Sequence, residues 1–407
     1  MLKNIFKFLP KIFKIPILKI VEWWYYKKIL RKQSVFVKLK RINNTKKKVL
    51  IYHSNCFGYG GTETNLQIIA DALSDKYDVY LLGSTQNNIK NRKQVLEKKF
   101  KVIDFTYKNT DPNYPNFIDT PNPNIIETIY GISPDLIVTA SAGRPEYPIN
   151  IIRDIPILLI NIFGSPCVQK NVKRIYFNAE ITKHAAEKFT GINKKYKVMR
   201  IPILCNISPD TKIVRNKLNI PENAFVFGRI GRPDDNIFDP IGILAFEKLV
   251  KEYNNAYYII VSPSQLAIDL VNSKKIKNVL FLPTTAREQD KWDFYYSIDT
   301  LAHFRLDGET QGLNICEAMY AGKPIITHKS IMWNGHLEYL DKSFSRVSEI
   351  DDISEYYRHM KEMINIKNQN PQVWQNMSLS AKDCVNNFFN KDTYCKDIME
   401  DVQSLIK

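Results

Sequence analysis

Two glutamates eight positions apart stand out, Glu309 and Glu317, in the string DGETQGLNICEAMYAGKPIIT from Asp307 to Thr327. The string follows an apolar run typical of a strand and opens an amphipathic pattern near Gly312, so a helix is expected to begin there. A helix start presents free backbone N–H groups and partial positive charge, which suits a phosphate. Gly312 lets the backbone come close to such a ligand. Glu309 lies just ahead of the helix. Glu317 lies five residues past Gly312, about 7 Å along the axis at a rise of 1.5 Å per residue. One carboxylate before a phosphate site and one beyond it match the layout of a nucleotide sugar, with hexose on one side of the diphosphate and ribose on the other. A carboxylate accepting hydroxyl hydrogen bonds suits either end.

A second loop, FVFGRIGRPDDNIFDP from Phe225 to Pro240, carries Arg229 and Arg232. Guanidinium groups neutralise a leaving diphosphate through paired hydrogen bonds. The adjacent acids Asp234 and Asp235 read as solvated loop residues. A third loop, NCFGYGGTETN from Asn55 to Asn65, follows the first apolar run and holds Gly58, Gly60 and Gly61. Thr62 is a candidate cap for the helix behind it. The loop does not match G-x-G-x-x-G, which argues against a nicotinamide cofactor.

The pattern from Glu309 to Glu317, followed by A-M-x-x-G-x-P, resembles the donor-site signature of family 4 of the retaining glycosyltransferases. The resemblance spans most of residues 49–407 and is specific mainly in the second half. It implies the GT-B fold, in which two Rossmann-like domains face a central cleft, and an enzyme that moves a hexosyl group from a nucleotide sugar to a glycan or lipid-linked acceptor. It implies that Glu309 contacts the donor sugar and Glu317 the ribose. It places the distal phosphate on the N–H groups of Gly312, Leu313 and Asn314, with Gly60 and Gly61 facing the donor phosphates. Arg229 stands where the family's arginine usually stands. The family's lysine a few residues later is missing, so either Arg232 supplies the second charge or the donor site is weakened. No metal or other cofactor is implied. The family's N-terminal histidine has no clear counterpart. His53 is a candidate by position only, and His303 reads as structural. The competing readings are a sugar-nucleotide epimerase or phosphorylase on the same fold, and a non-catalytic scaffold at a membrane.

The elements that must position these residues follow from pattern. From Val49 the chain alternates apolar β-rich runs (VLIYHS, YDVYLLGS, KVIDF, DLIVTAS, IPILLINIF, RIYFNA, KVMRIPI) with amphipathic stretches. A second such series begins near Phe225. Alternation of this kind argues for α/β units with parallel sheets covered on both faces, and in such sheets ligands bind beyond the carboxyl ends of the strands. The expected organisation is an extension over 1–48, an acceptor-side Rossmann-like domain over 49–207, a donor-side one over 208–380, and C-terminal helices over 381–407 crossing back to the first domain.

The net charge of +16 over 407 residues suggests nucleic acid until it is located. Residues 1–48 hold 15 Lys and Arg against a single acid, Glu22, so the body is close to neutral. A nucleic-acid groove needs its positive charge on the folded surface. The extension lacks the uncharged core of a signal peptide. It sets Trp23, Trp24, Tyr25 and Tyr26 before Lys27, Lys28, Arg31 and Lys32. Such rings favour the headgroup region of a bilayer, and each lysine near anionic lipid adds about 1 kcal/mol. The expectation is a cytoplasmic protein held peripherally on an anionic membrane through residues 1–32. Six scattered cysteines with no metal-ligand spacing fit reduced thiols.

Overall fold

A computed structural model of the chain describes residues 46–58, 60–83, 90–104, 123–285 and 287–406. The membrane-binding segment expected at residues 1–32 lies outside them. Among the described residues no helix is long and apolar enough to cross a membrane.

The chain divides into two compact units, one ending at Met199 and taking in Asp392–Lys407, the other spanning Arg200–Lys391. The sequence reading set the corresponding divisions at 207/208 and 380/381.

The first unit is built on seven strands: β1 (Lys48–Tyr52), β2 (Asp78–Gly83), β3 (Lys101–Asp104), β4 (Leu136–Ser141), β5 (Ile157–Asn161), β6 (Val172–Phe177) and β7 (Tyr196–Val198). They pair in parallel in the order β3-β2-β1-β4-β5-β6-β7. The central strands β4 and β5 are buried along their whole length. That is why they read as unbroken Ile, Leu and Val runs rather than alternating ones. The last helix, Lys391–Leu405, is held to this unit by buried polar contacts. Tyr176 donates its hydroxyl to Asp401 at 2.6 Å, Arg174 pairs with the same carboxylate at 2.8 Å, and the Tyr394 hydroxyl bonds Asn65.

The second unit has a six-stranded parallel sheet. Its strands are β8 (Phe225–Ile230), β9 (Ala256–Val261), β10 (Val279–Leu282), β11 (Thr300–Ala302), β13 (Ile325–His328) and β15 (Ser345–Ser348), in the order β10-β9-β8-β11-β13-β15. Two residues each of β12 (Gly308–Glu309) and β14 (Trp333–Asn334) pair separately. The edge strand β15 and this small pair are absent from the sequence reading, because SRVS and two-residue bridges carry no periodicity to detect. Buried aromatic rings fill the core, with Phe227, Phe246, Tyr258 and Phe304 meeting edge to face at 5.3–6.4 Å. Gly228 is in β8 for a steric reason: a β-carbon there would lie 2.6 Å from Ile298 and 2.8 Å from Phe294. Its absence lets helix Glu288–Ser297 press against the strand.

Candidate functional site

In the second unit the loops beyond the carboxyl ends of β8 and β11 carry the candidate residues. Gly312 is the N-cap of helix Leu313–Tyr320 and takes the left-handed φ of +77°. Any other residue would be strained in that backbone, and its β-carbon would stand 3.2 Å from Glu309. No side chain caps the helix. Among the described residues the backbone N–H groups of Leu313 and Asn314 donate to no acceptor, while the Gly312 carbonyl already takes Ile315 and Cys316. The first turn therefore keeps the unsatisfied donors that make a helix start an anion site.

Glu309 ends the short β12 strand, largely buried. Arg305 Nη1 stands 3.4 Å from each of its oxygens, and His303 Nε2 stands 3.6 Å from Oε1. Burial pushes the Glu309 carboxyl up, against the opposing pull of Arg305. Arg305 also makes a two-pronged contact with Asp307, at 2.6 and 3.0 Å. Arg305 was not singled out from the sequence, and His303 reads there as structural. Arg305 sits four residues before Glu309, and only the turn through Leu306–Gly308 brings the two heads together.

Arg229 is near the end of β8 and 4% exposed. Its guanidinium lies 4.9 Å over the Phe304 ring. Its Nε has no hydrogen-bond partner, and no carboxylate among the described residues pairs with it. Burial holds its pKa below the usual arginine range, against an attraction to Glu309. A buried guanidinium without a partner is costly unless an anion joins it. Arg232, the other candidate, is exposed on the following loop beside Asp234. The two arginines are thus in opposite environments. The neighbouring acids serve the backbone: Asp234 accepts Asn236 N–H at 3.0 Å and Asp235 accepts Leu266 N–H at 2.9 Å. Among the described residues no group of three or more His, Cys, Asp or Glu converges as metal ligands would.

Glu317 points to a different set of partners. Lys291 Nζ bonds one oxygen at 2.7 Å and the Tyr295 hydroxyl the other at 2.8 Å. Burial works to lower the Lys291 pKa, but the carboxylates of Glu317 and Glu288 outweigh it and hold the ammonium charged. Each Glu317 oxygen keeps a lone pair, so the side chain can still accept a hydroxyl. Lys291 and Tyr295 come from helix Glu288–Ser297, where the sequence indicates a helix but no pattern that singles these two residues out.

Gly60 and Gly61 belong to the first unit. Gly60 is the N-cap of helix Gly61–Ser74, and no side chain caps that helix either. The expectation that Thr62 caps it is corrected, since Thr62 lies inside the first turn with helical neighbours on both sides. Glu63 is the residue missed here. Its carboxylate is buried, accepts Asn55 Nδ2 at 2.9 Å and lies 3.8 Å from His53 Nδ1. Burial lowers the His53 pKa, with Glu63 opposing. A carboxylate in the first turn of a helix is favourably placed against the positive helix end, which is the position the sequence reading gave to a donor phosphate.

No protein-family model matches the sequence, and no curated protein matches it. Solved structures do. A glycosyltransferase from Rickettsia africae ESF-5 superposes with a TM-score of 0.70 at 14% identity, over 89% of this chain and 100% of that one. HepE from Anabaena, in complex with UDP and glucose, gives 0.66 at 18% identity over 88% of this chain and 100% of that one. WaaG, a glycosyltransferase involved in lipopolysaccharide biosynthesis, gives 0.64 at 13% identity over 86% of this chain and 99% of that one. With two parallel Rossmann-like sheets, a helical tail and these structural neighbours, the chain has the GT-B fold.

Proposed function

We propose that this protein is a glycosyltransferase that moves a hexosyl group from a nucleotide-sugar donor to a glycan or lipid-linked acceptor, with retention of anomeric configuration. The observation that carries the reading is the pair of unsatisfied donor sets in one unit: the buried Arg229 guanidinium and the free N–H groups of Leu313 and Asn314. Both lack an anion: Arg229 sits just before the carboxyl end of β8, and the free N–H groups follow the neighbouring β11, at the end of the sheet where ligands bind. A diphosphate satisfies both. The neighbour HepE is described in complexes with UDP and with UDP-glucose, which supports a uridine nucleotide as the first donor to try.

In this mechanism Arg229 and the helix start hold the leaving diphosphate and stabilise the charge that develops on it. One such preset donor contributes about 3 kcal/mol to the transition state. Glu309, ahead of the helix start, accepts hydroxyl hydrogen bonds from the sugar. Glu317, with Lys291 and Tyr295 fixing its orientation, accepts from the ribose. Arg232 is exposed and is assigned a secondary role at the mouth of the donor loop. The reaction needs no metal in this scheme, and residues 1–32 hold the enzyme on an anionic membrane at its cytoplasmic face.

Calorimetric titration with nucleoside diphosphates, followed by a screen of nucleotide sugars for donor hydrolysis, tests the reading. Saturable binding and release of free sugar support it, and the anomeric configuration of a trapped product decides retention. Failure to bind any nucleoside diphosphate favours the scaffold. Nucleotide release with an epimerised sugar and no acceptor product favours the epimerase.

A further inference from the structure

From its place on a strand His303 reads as a structural residue, yet its ring lies against the acid of the candidate site. His303 follows β11 and is 3% exposed. Its backbone is fixed on both sides, with its N–H donating to Ile326 at 2.8 Å and its carbonyl accepting the Tyr356 hydroxyl at 3.0 Å. The ring therefore has little room to move. One ring nitrogen, Nδ1, is 3.2 Å from Asn314 Nδ2, and the other, Nε2, faces Glu309 Oε1 at 3.6 Å.

Asn314 decides which nitrogen carries the proton. Its Oδ1 accepts the Ile315 N–H at 3.0 Å, and its Nδ2 donates to the Ile230 carbonyl at 3.0 Å. A flipped amide would set its NH₂ against the Ile315 N–H and its oxygen against the Ile230 oxygen, so the orientation is determined. The second hydrogen of Nδ2 then points at His303 Nδ1, which must accept it. The neutral ring consequently carries its proton on Nε2, directed at Glu309. Arg229, Arg305, His328 and His336 surround the ring, and with burial they oppose a second proton.

We infer that His303 is a positioning residue for Glu309, with Asn314 setting its tautomer. This rests on the donor-site reading above and adds a link within it. Glu309 is approached from two sides by long contacts, 3.4 Å from Arg305 and 3.6 Å from His303, and is gripped by neither. The Glu309 side chain keeps 14% of its surface exposed, through which a sugar hydroxyl reaches the carboxylate. Asn314 connects the two halves of the site. Its backbone N–H is free for a phosphate, and its side chain fixes the imidazole that orients the acid.

Two measurements on the full chain test the inference. In ¹⁵N-histidine-labelled protein, long-range proton–nitrogen spectra report the tautomer, and His303→Gln assigns the signal. The expected pattern at neutral pH is a neutral ring protonated on Nε2, lost or mixed in Asn314→Leu. A ring protonated on Nδ1, or a charged one, overturns the inference. In kinetics, His303→Leu should lower kcat by about 100-fold, the scale of a misplaced reacting group. The donor KM and the diphosphate Kd should stay near wild type, and His303→Gln, which keeps an N–H donor, should regain part of the loss. Wild-type kcat in His303→Leu, or kcat, Kd and Tm falling together as a packing defect would produce, also overturns it. If the wild-type chain bound no nucleoside diphosphate, the transfer reading would fall, while the tautomer and its dependence on Asn314 would still be decided by the spectra.

Discussion

Arg305 Nη1 lies 3.4 Å from both oxygens of Glu309 while the rest of its guanidinium is occupied by Asp307. The arginine is thus anchored on one carboxylate and rests loosely on the other. Glu309 keeps its negative charge partly balanced yet remains open to a ligand.

Glu309→Gln tests what that charge does. The amide keeps the shape and removes the full negative charge beside Arg305. Turnover of the donor should fall by about 100-fold or more, the range seen when a preset electrostatic group is lost. Diphosphate affinity should change far less, because the helix start and Arg229 are untouched. Steady-state rates and calorimetry on the same variant separate the two, and unchanged turnover removes Glu309 from the mechanism.

Arg229→Met should trade binding for stability. The wild-type guanidinium is buried without an ionic partner, which is expensive in the free protein. An apolar side chain of similar length keeps the contact with Phe304 and ends that cost. Tm without ligand is expected to hold or rise. Affinity for a nucleoside diphosphate should drop by about 10- to 100-fold, the value of one or two charge-assisted hydrogen bonds. A Tm loss with unchanged affinity would show that Arg229 is a structural residue.

Lys291→Met leaves Glu317 without its cation. Lys291 and Glu317 are both mostly covered, and stranding one member of such a pair costs about 2 kcal/mol after allowing for residual solvent. Urea denaturation should show that loss. The double variant with Glu317→Gln should recover part of it, and additive losses would mean the two side chains do not depend on each other.

Acid sensitivity should trace in part to His336. Burial drives its pKa from the ordinary 6.5 down to about 4. The unfolded chain therefore takes up a proton that the folded chain refuses, so stability falls as pH drops from about 6.5 and levels off near 4. The contribution is roughly 3 kcal/mol over that window. His336→Gln should flatten the stability profile between those limits relative to wild type. Parallel profiles would place the titration elsewhere.

Local pattern alone specified much of this molecule. The apolar runs of β1, β4, β5 and β8 need burial on both faces, so the α/β class is written in their composition. The start of helix Leu313–Tyr320, with Gly312 before it and two glutamates around it, is equally local, because a helix start depends on a few consecutive residues. Tertiary structure decided the rest. It buried Arg229 at the end of β8 and exposed Arg232 three residues later on the following loop, which spacing cannot distinguish. It brought Lys291 and Tyr295 across to Glu317 from a helix more than twenty residues away. It turned His303 toward Glu309 by way of Asn314. Side-chain charges pair through space, and the distances that set their strength exist only once the strands and helices have packed.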